Sequence, residues 1–238
     1  MATETRPGST GASSLLGLPQ LSLAALFVTA LVTAQVTAAK VVAVSLPFSL
    51  PVTGNAILVP AAVFAYAITF FASDCYTELY GKRAAQLLVN VAFVMNFVLL
   101  ALVWLAIWAP IAGPSDVSQS AFAETLGAST GVVAGSLLAY LVSQNWDVIV
   151  FHRIREATGE KSLWLRNILS TATSQLIDTV IFIVVAFFIF QGLPTSVIFE
   201  LIVGQYLFKL LLVGIDTPFV YLVVGLIRSR GLAPGVHQ

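Results

Sequence analysis

Six long apolar stretches dominate this chain: approximately Leu21 to Lys40, Ala56 to Ser73, Ala84 to Ala109, Gly127 to Phe151, Asn167 to Phe190 and Ser196 to Ile227. A hydrocarbon layer about 30 Å thick needs roughly 20 helical residues at about 1.5 Å each, so each stretch can cross it. The second is near the lower limit; the sixth is long enough to tilt, or to kink at Pro218. In lipid every backbone N–H and C=O must be satisfied internally, which favours helix for runs of this length. The expected fold is therefore all-α, a polytopic membrane protein of six transmembrane helices. Composition agrees, because 58% of the residues are hydrophobic and only 9% charged. An ordinary soluble domain has roughly 25% charged residues, and too few polar residues remain here to cover a soluble core.

Turn-forming residues divide the stretches: Pro47, Pro51 and Gly54, then Gly81, then Pro110, Gly113 and Pro114, then Gly159, then Gly192 and Pro194. Positive residues gather in cytoplasmic loops, and this orients the arrangement. Lys82 and Arg83 follow the second stretch. Arg153, Arg155, Lys161 and Arg166 separate the fourth from the fifth, Arg228 and Arg230 follow the sixth, and Arg6 lies in the N-terminal tail. The intervening loops are nearly free of positive charge, carrying Asp116 and Glu124 instead. Both termini are expected to be cytoplasmic and the protein to lie in the cell membrane. Residues 1–19, rich in Thr, Ser and Gly, read as a disordered tail, 20–228 as the transmembrane domain and 229–238 as a second tail. Trp104 and Trp108 would mark the outer interface, and Trp164, Tyr76 and Tyr80 the inner one.

Several classes of function lose support. Cys75 is the only cysteine, so neither an intrachain disulfide nor a Cys-rich metal site can form. The formal net charge is zero, which gives no reason to expect a nucleic acid partner. Neither H-E-x-x-H nor clustered histidines are present, so no enzyme, metal or cofactor is expected. His152 and His237 sit at a helix end and in the tail, without a ligand role.

What remains is polar residues inside apolar stretches. Lys209 is deep in the sixth stretch and needs a partner, since a lipid-facing charge there costs at least about 2.5–3.5 kcal/mol. Asp178 is the candidate. It lies about 16 Å from the cytoplasmic end of the fifth stretch, with Lys209 at a somewhat shallower depth that its stem can span. Such a bridge either locks two helices together or belongs to a polar cavity near the midplane, where transporter sites lie. Two five-residue runs, Ser143-Gln144-Asn145-Trp146-Asp147 and Ser174-Gln175-Leu176-Ile177-Asp178, share the pattern Ser-Gln-x-x-Asp. Gln and Asp three apart occupy one helix face, so each helix offers an amide and a carboxylate together. That pairing suits a flat hydrogen-bonding heterocycle with a guanine-like edge, although small polar residues also serve as interhelical glue. Trp146 fits stacking or interfacial packing. Asn90 and Asn96 read as packing residues. Toward the cytoplasmic side, Asp74 and Glu78 fit either a solvated pairing with Lys82, Arg83 or Arg166 or a gate. Asp216, before Thr217 and Pro218, fits either a bend or a cavity lined by freed carbonyls.

The run Ser73-Asp74-Cys75-Tyr76-Thr77-Glu78-Leu79-Tyr80-Gly81-Lys82 resembles the signature of the queuosine precursor transporter family, also called the vitamin uptake transporter family. Trp164-Leu165-Arg166-Asn167, Ser170-Thr171 and Ser174 to Thr179 are similar to that family's fifth helix, and Lys209 with Thr217-Pro218 to its sixth. The resemblance spans about Leu21 to Ile227. It implies uptake of 7-deazaguanines, such as 7-cyano-7-deazaguanine or 7-aminomethyl-7-deazaguanine, for modified nucleosides in transfer RNA. The expected site is then Asp178 and Gln175, a second polar face of Asp147, Gln144 and Asn145, Lys209 for charge balance or contact with a ring acceptor, and Trp146 for stacking or interfacial packing. Asp74, Glu78, Arg166 and Asp216 would act on the cytoplasmic side. The same resemblance implies, as an alternative, a substrate-binding subunit of an energy-coupling-factor transporter with ATPase and scaffold partners. The chain itself has no G-x-x-x-x-G-K-[ST] sequence with which to hydrolyse ATP. A homo-oligomer and a purely structural membrane protein are the other readings left open.

Overall fold

The computed structural model describes residues 17–50, 54–158 and 163–230. In chain order these form α1 (Leu18–Thr37), β1 (Val41–Leu50), β2 (Gly54–Pro60), α2 (Val63–Tyr80), α3 (Lys82–Trp108), α4 (Gln119–Gly127), α5 (Ser129–Thr158), α6 (Leu163–Ile183), a π-helical segment (Val184–Ile189) and α7 (Thr195–Ser229). Among the described residues, five helical segments are long and apolar enough to cross a membrane: Leu18–Thr37, Lys82–Trp108, Gln119–Glu156, Ile168–Ile189 and Thr195–Ser229. The expected second span, α2, falls outside this set, because Asp74, Glu78 and their polar neighbours leave its 18 residues less apolar than the others. The chain is a predominantly helical, polytopic membrane protein. Large apolar side chains such as Leu87, Leu102, Leu105 and Leu222 face outward, while Ala34, Ala62, Ala139 and Ala186 are buried between helices. That distribution suits a lipid solvent, in which small residues let helices approach and bulky ones meet acyl chains.

The main departure from expectation is a β-hairpin after α1. β1 and β2 are antiparallel, with Val41 opposite Pro60 and Ser45 opposite Ala56, an irregularity after Ser45, and Leu50 opposite Gly54. Pro47 and Gly54, expected in a loop, thus lie in β1 and β2, Pro51 lies outside the described residues, and the helix expected from Ala56 begins at Val63. β-Branched Val41, Val42, Val44, Ile57 and Val59 prefer the extended state. Pro47 falls in the irregular stretch, where no ladder donor is required of it. Gly54, with φ of 66°, occupies the left-handed region at the hairpin end. Ile57 and Val59 are buried with Val63, and Phe208 of α7 packs on them. A side chain on Gly204 of α7 would overlap the Leu58 carbonyl oxygen, so the strand lies directly on the helix backbone.

Two packed regions flank the centre. One gathers Phe182, Ile183, Ala186 and Phe187 with Val132 and Leu201; the other gathers Leu23, Phe27, Ala72, Cys75, Tyr76 and Leu79 with Leu88 and Val224. In the first, α5 approaches the end of α6 closely. A Cβ on Gly135 would lie 3.1 Å from the Phe182 carbonyl oxygen and 3.3 Å from the Ala186 nitrogen. The stretch between α3 and α5, expected to be loop, contains the short α4, whose first turn is capped by Ser118 Oγ accepting from the Ala121 N–H at 3.2 Å. α7 continues through Pro218 as one helix. The expected N-terminal tail lies outside the described residues except for its end, where Leu18 and Pro19 begin α1.

Candidate functional site

A cavity of about 280 Å³ opens at the centre of the bundle, and six helices line it. α1 supplies Phe27, Leu31 and Gln35; α2 supplies Tyr66, Thr69, Phe70 and Ser73; α3 supplies Val89, Phe93 and Asn96. From α5 come Ser136, Tyr140, Ser143 and Gln144, from α6 Gln175, Asp178 and Phe182, and from α7 Gln205 and Lys209. Helical spacing explains why these residues share one interior. Ser136, Tyr140 and Ser143 recur at four and three residues along α5, Gln175, Asp178 and Phe182 at three and four along α6, and Gln205 and Lys209 at four along α7.

Lys209 Nζ meets Asp178 Oδ2 at 2.7 Å, the partnership expected from their depths. Neither side chain is sealed, with 15% of Lys209 and 27% of Asp178 accessible, so the pair faces the cavity. Ser143 Oγ donates to Asp178 Oδ1 at 3.5 Å, and Ser174 Oγ donates to Asp147 Oδ1 at 3.3 Å. The two Ser-Gln-x-x-Asp runs therefore clasp each other: the serine of each addresses the carboxylate of the other across the antiparallel α5–α6 contact. Their second halves diverge. Gln144, Gln175 and Asp178 reach the cavity, whereas Asp147, Asn145 and Trp146 are absent from its wall. Asn145 Nδ2 donates to the Leu141 carbonyl at 2.6 Å, and Trp146 Nε1 donates to Thr173 Oγ1 at 3.3 Å. These three fasten helix surfaces instead of forming a second cavity face. The repeat's spacing kept Gln and Asp on one side of α5, but Asp147 lies one turn too far along the helix to reach the opening.

The aromatic wall also differs from expectation. Trp146 is 41% exposed and off the cavity, while Phe27, Phe70, Phe93, Tyr140 and Phe182 line it. Phe93 and Tyr140 rings lie 5.6 Å apart across α3 and α5. α1, α2 and α3 contribute polar groups that sequence reasoning passed over. Gln35, 1% exposed, accepts from Ser136 Oγ at 3.3 Å. Asn96, read from sequence as a packing residue, stands on the cavity wall with Oδ1 unpartnered, as does Gln205 Oε1. A lone amide in an otherwise apolar stretch was the available signal for Gln35 and Gln205, and their helix faces could be settled only by packing.

Away from the cavity, Asp74 and Glu78 lie in the last turns of α2, within helix and not in a solvated loop. Arg228 Nη2 donates to Glu78 Oε1 at 2.9 Å and to the Glu78 carbonyl at 3.0 Å, so among the described residues Glu78 is held from α7 and not by Lys82 or Arg83. The side chain of Arg166 lies outside the described residues. The carboxyls of Asp74 on α2 and Asp216 on α7 lie close enough to interact, bringing together two groups that the sequence treated separately. Asp216 also lines a shallow apolar groove with Phe70, Phe71, Leu212 and Phe219.

Comparison with known proteins places this architecture. The family model described as "Putative vitamin uptake transporter" matches residues 60–223, from the end of β2 into α7 and thus the cavity-lining parts of α2, α3, α5, α6 and α7. A relative in Bacillus subtilis (strain 168), named "Probable queuosine precursor transporter", is 38% identical over 166 residues, covering 66% of this chain and 67% of that protein. No solved structure gives a significant match. The family model, the extent of this relative and the apolar helices lead to one assignment: the chain is a multi-pass membrane protein belonging to the vitamin uptake transporter family.

Proposed function

We infer that this protein imports queuosine precursors, 7-deazaguanines such as 7-cyano-7-deazaguanine or 7-aminomethyl-7-deazaguanine, for use in transfer RNA modification. The observation that carries the reading is the Asp178–Lys209 pair facing an amide- and aromatic-lined cavity enclosed by helices, in a chain with a queuosine-precursor relative. The cavity volume is near the small end of ligand pockets, about 300–1,000 Å³, as a single fused-ring heterocycle requires. Lys209 offers N–H donors to a carbonyl or nitrile acceptor, Gln175 and Gln144 offer both donor and acceptor, and Phe93 and Tyr140 supply ring surfaces for stacking. The pair also neutralises itself, so an uncharged base can enter without leaving a net charge in lipid.

The six-span arrangement with both termini in the cytoplasm is part of this proposal, supported by the basic loops after α2, between α5 and α6, and after α7. In that orientation Asp74, Asp216, Glu78 and Arg228 stand toward the cytoplasmic end and act as the inner gate. Labelled 7-deazaguanine uptake by a strain unable to synthesise it, with and without this gene, tests the function. Uptake that depends on the gene is expected; equal uptake in both strains refutes it. Counterflow in liposomes containing only the purified chain further separates a self-sufficient carrier from one that needs ATPase and scaffold subunits.

A further inference from the structure

Two amides on the cavity wall are placed differently from every other polar group there. Asn96 on α3 is 3% exposed and Gln205 on α7 is 4% exposed, and Asn96 Oδ1 and Gln205 Oε1 have no hydrogen-bond partner among the described residues. Buried acceptors are seldom left so, because each is costly without a donor. The charged acceptor nearby is committed: Asp178 takes the Lys209 ammonium on Oδ2 at 2.7 Å and Ser143 on Oδ1 at 3.5 Å. Gln35 is similarly engaged through Ser136 at 3.3 Å. A ligand bearing N–H groups therefore meets, besides the more accessible Gln144 and Gln175, two buried acceptors without partners on α3 and α7. Gln205 is one turn from Lys209 on the same face of α7, so one helix can address a ligand donor and a ligand acceptor together.

We propose that Asn96 and Gln205 are the specificity-determining residues of the cavity, accepting hydrogen bonds from the ring N–H and the exocyclic amine of a guanine-like ligand. This rests on the cavity being the importer's substrate site. Their role is selection by match: a ring bearing those donors pairs a buried amide oxygen that otherwise has no partner, and a ring lacking one of them forgoes that gain. Asp178 and Lys209 then set the charge and polarity of the cavity, and the amides read the ring.

The test is binding to the purified full-length chain of 7-cyano-7-deazaguanine and of the same ring without its exocyclic amine. The wild type is expected to favour the amine-bearing ring by about tenfold or more. Asn96→Leu or Gln205→Met, whichever residue faces the amine, should shrink that preference to less than about threefold, at retained affinity for the amine-free ring. A preference that persists in both variants overturns the assignment while leaving the importer reading intact. If the wild type binds neither ring, the importer reading itself fails. Should either variant be missing from the membrane, the ligand series on the wild type decides. Methylating the ring N–H and deleting the amine must each weaken binding about tenfold, and unchanged affinity for both refutes the proposal.

Discussion

At Asp178 one carboxylate serves two neighbours, an ammonium from α7 and a serine hydroxyl from α5, while its remaining surface meets the cavity. Removing either member of the ion pair strands the other in a poorly hydrated interior, a change worth about 3 kcal/mol at the lower end of the range for buried pairs. Asp178→Ala and Lys209→Met are each expected to lower the thermal stability of the detergent-purified protein. The double variant should be more stable than either single one, since no charge is left alone. Uptake should be lost in all three. Restored uptake in the double variant would reduce the pair to a structural lock and remove it from substrate handling. For Trp146, hydrogen-bonded to Thr173 and away from the cavity, Trp146→Phe is expected to keep uptake within about threefold, whereas Phe93→Ala, which strips the cavity wall, should lower it by tenfold or more.

Single elements owe their positions to glycines where backbones touch. Gly204 seats α7 against the Leu58 carbonyl, and Gly135 seats α5 against the last turn of α6 before its π-helical segment. Overpacking such contacts costs about 1–3 kcal/mol. Gly204→Val should therefore lower the melting temperature more than Gly225→Val, because a Cβ at Gly225 meets no atom within 4 Å. Comparable melting of the two variants would place the hairpin away from α7. Gly135→Leu should lower the melting temperature as well, since neither the Phe182 carbonyl nor the Ala186 nitrogen can move without disturbing helix hydrogen bonds.

For the molecule as a whole, orientation and gating are the properties to test. Glu78 and Arg228 are about half exposed, and an ion pair of that kind contributes about 0–1 kcal/mol. Glu78→Ala should leave melting almost unchanged and alter the rate of uptake, separating a gate from a structural clamp. Cys75 is fully buried, which gives a nearly silent background for cysteines introduced at Ser115 and Ser229. In intact cells a membrane-impermeant thiol reagent should label position 115 and spare position 229; the reverse pattern would invert the proposed topology.

The membrane class, most helix positions and the Asp178–Lys209 partnership were legible along the chain, because the bilayer imposes a length on apolar runs and makes a buried charge seek its opposite at matching depth. The hairpin was hidden: Val-rich segments flanked by prolines support either a loop or a short strand pair until Gly204 shows what lies against them. The division within Ser143 to Asp147 was hidden too. Periodicity fixes which residues share a helix face, but not how far along that face the cavity extends, so Gln144 reaches it and Asp147 does not. Gln35, Asn96 and Gln205 belong to three helices far apart in sequence. Only the packing of the bundle brings all three to the wall of one cavity, since no local pattern records which faces of distant helices will meet.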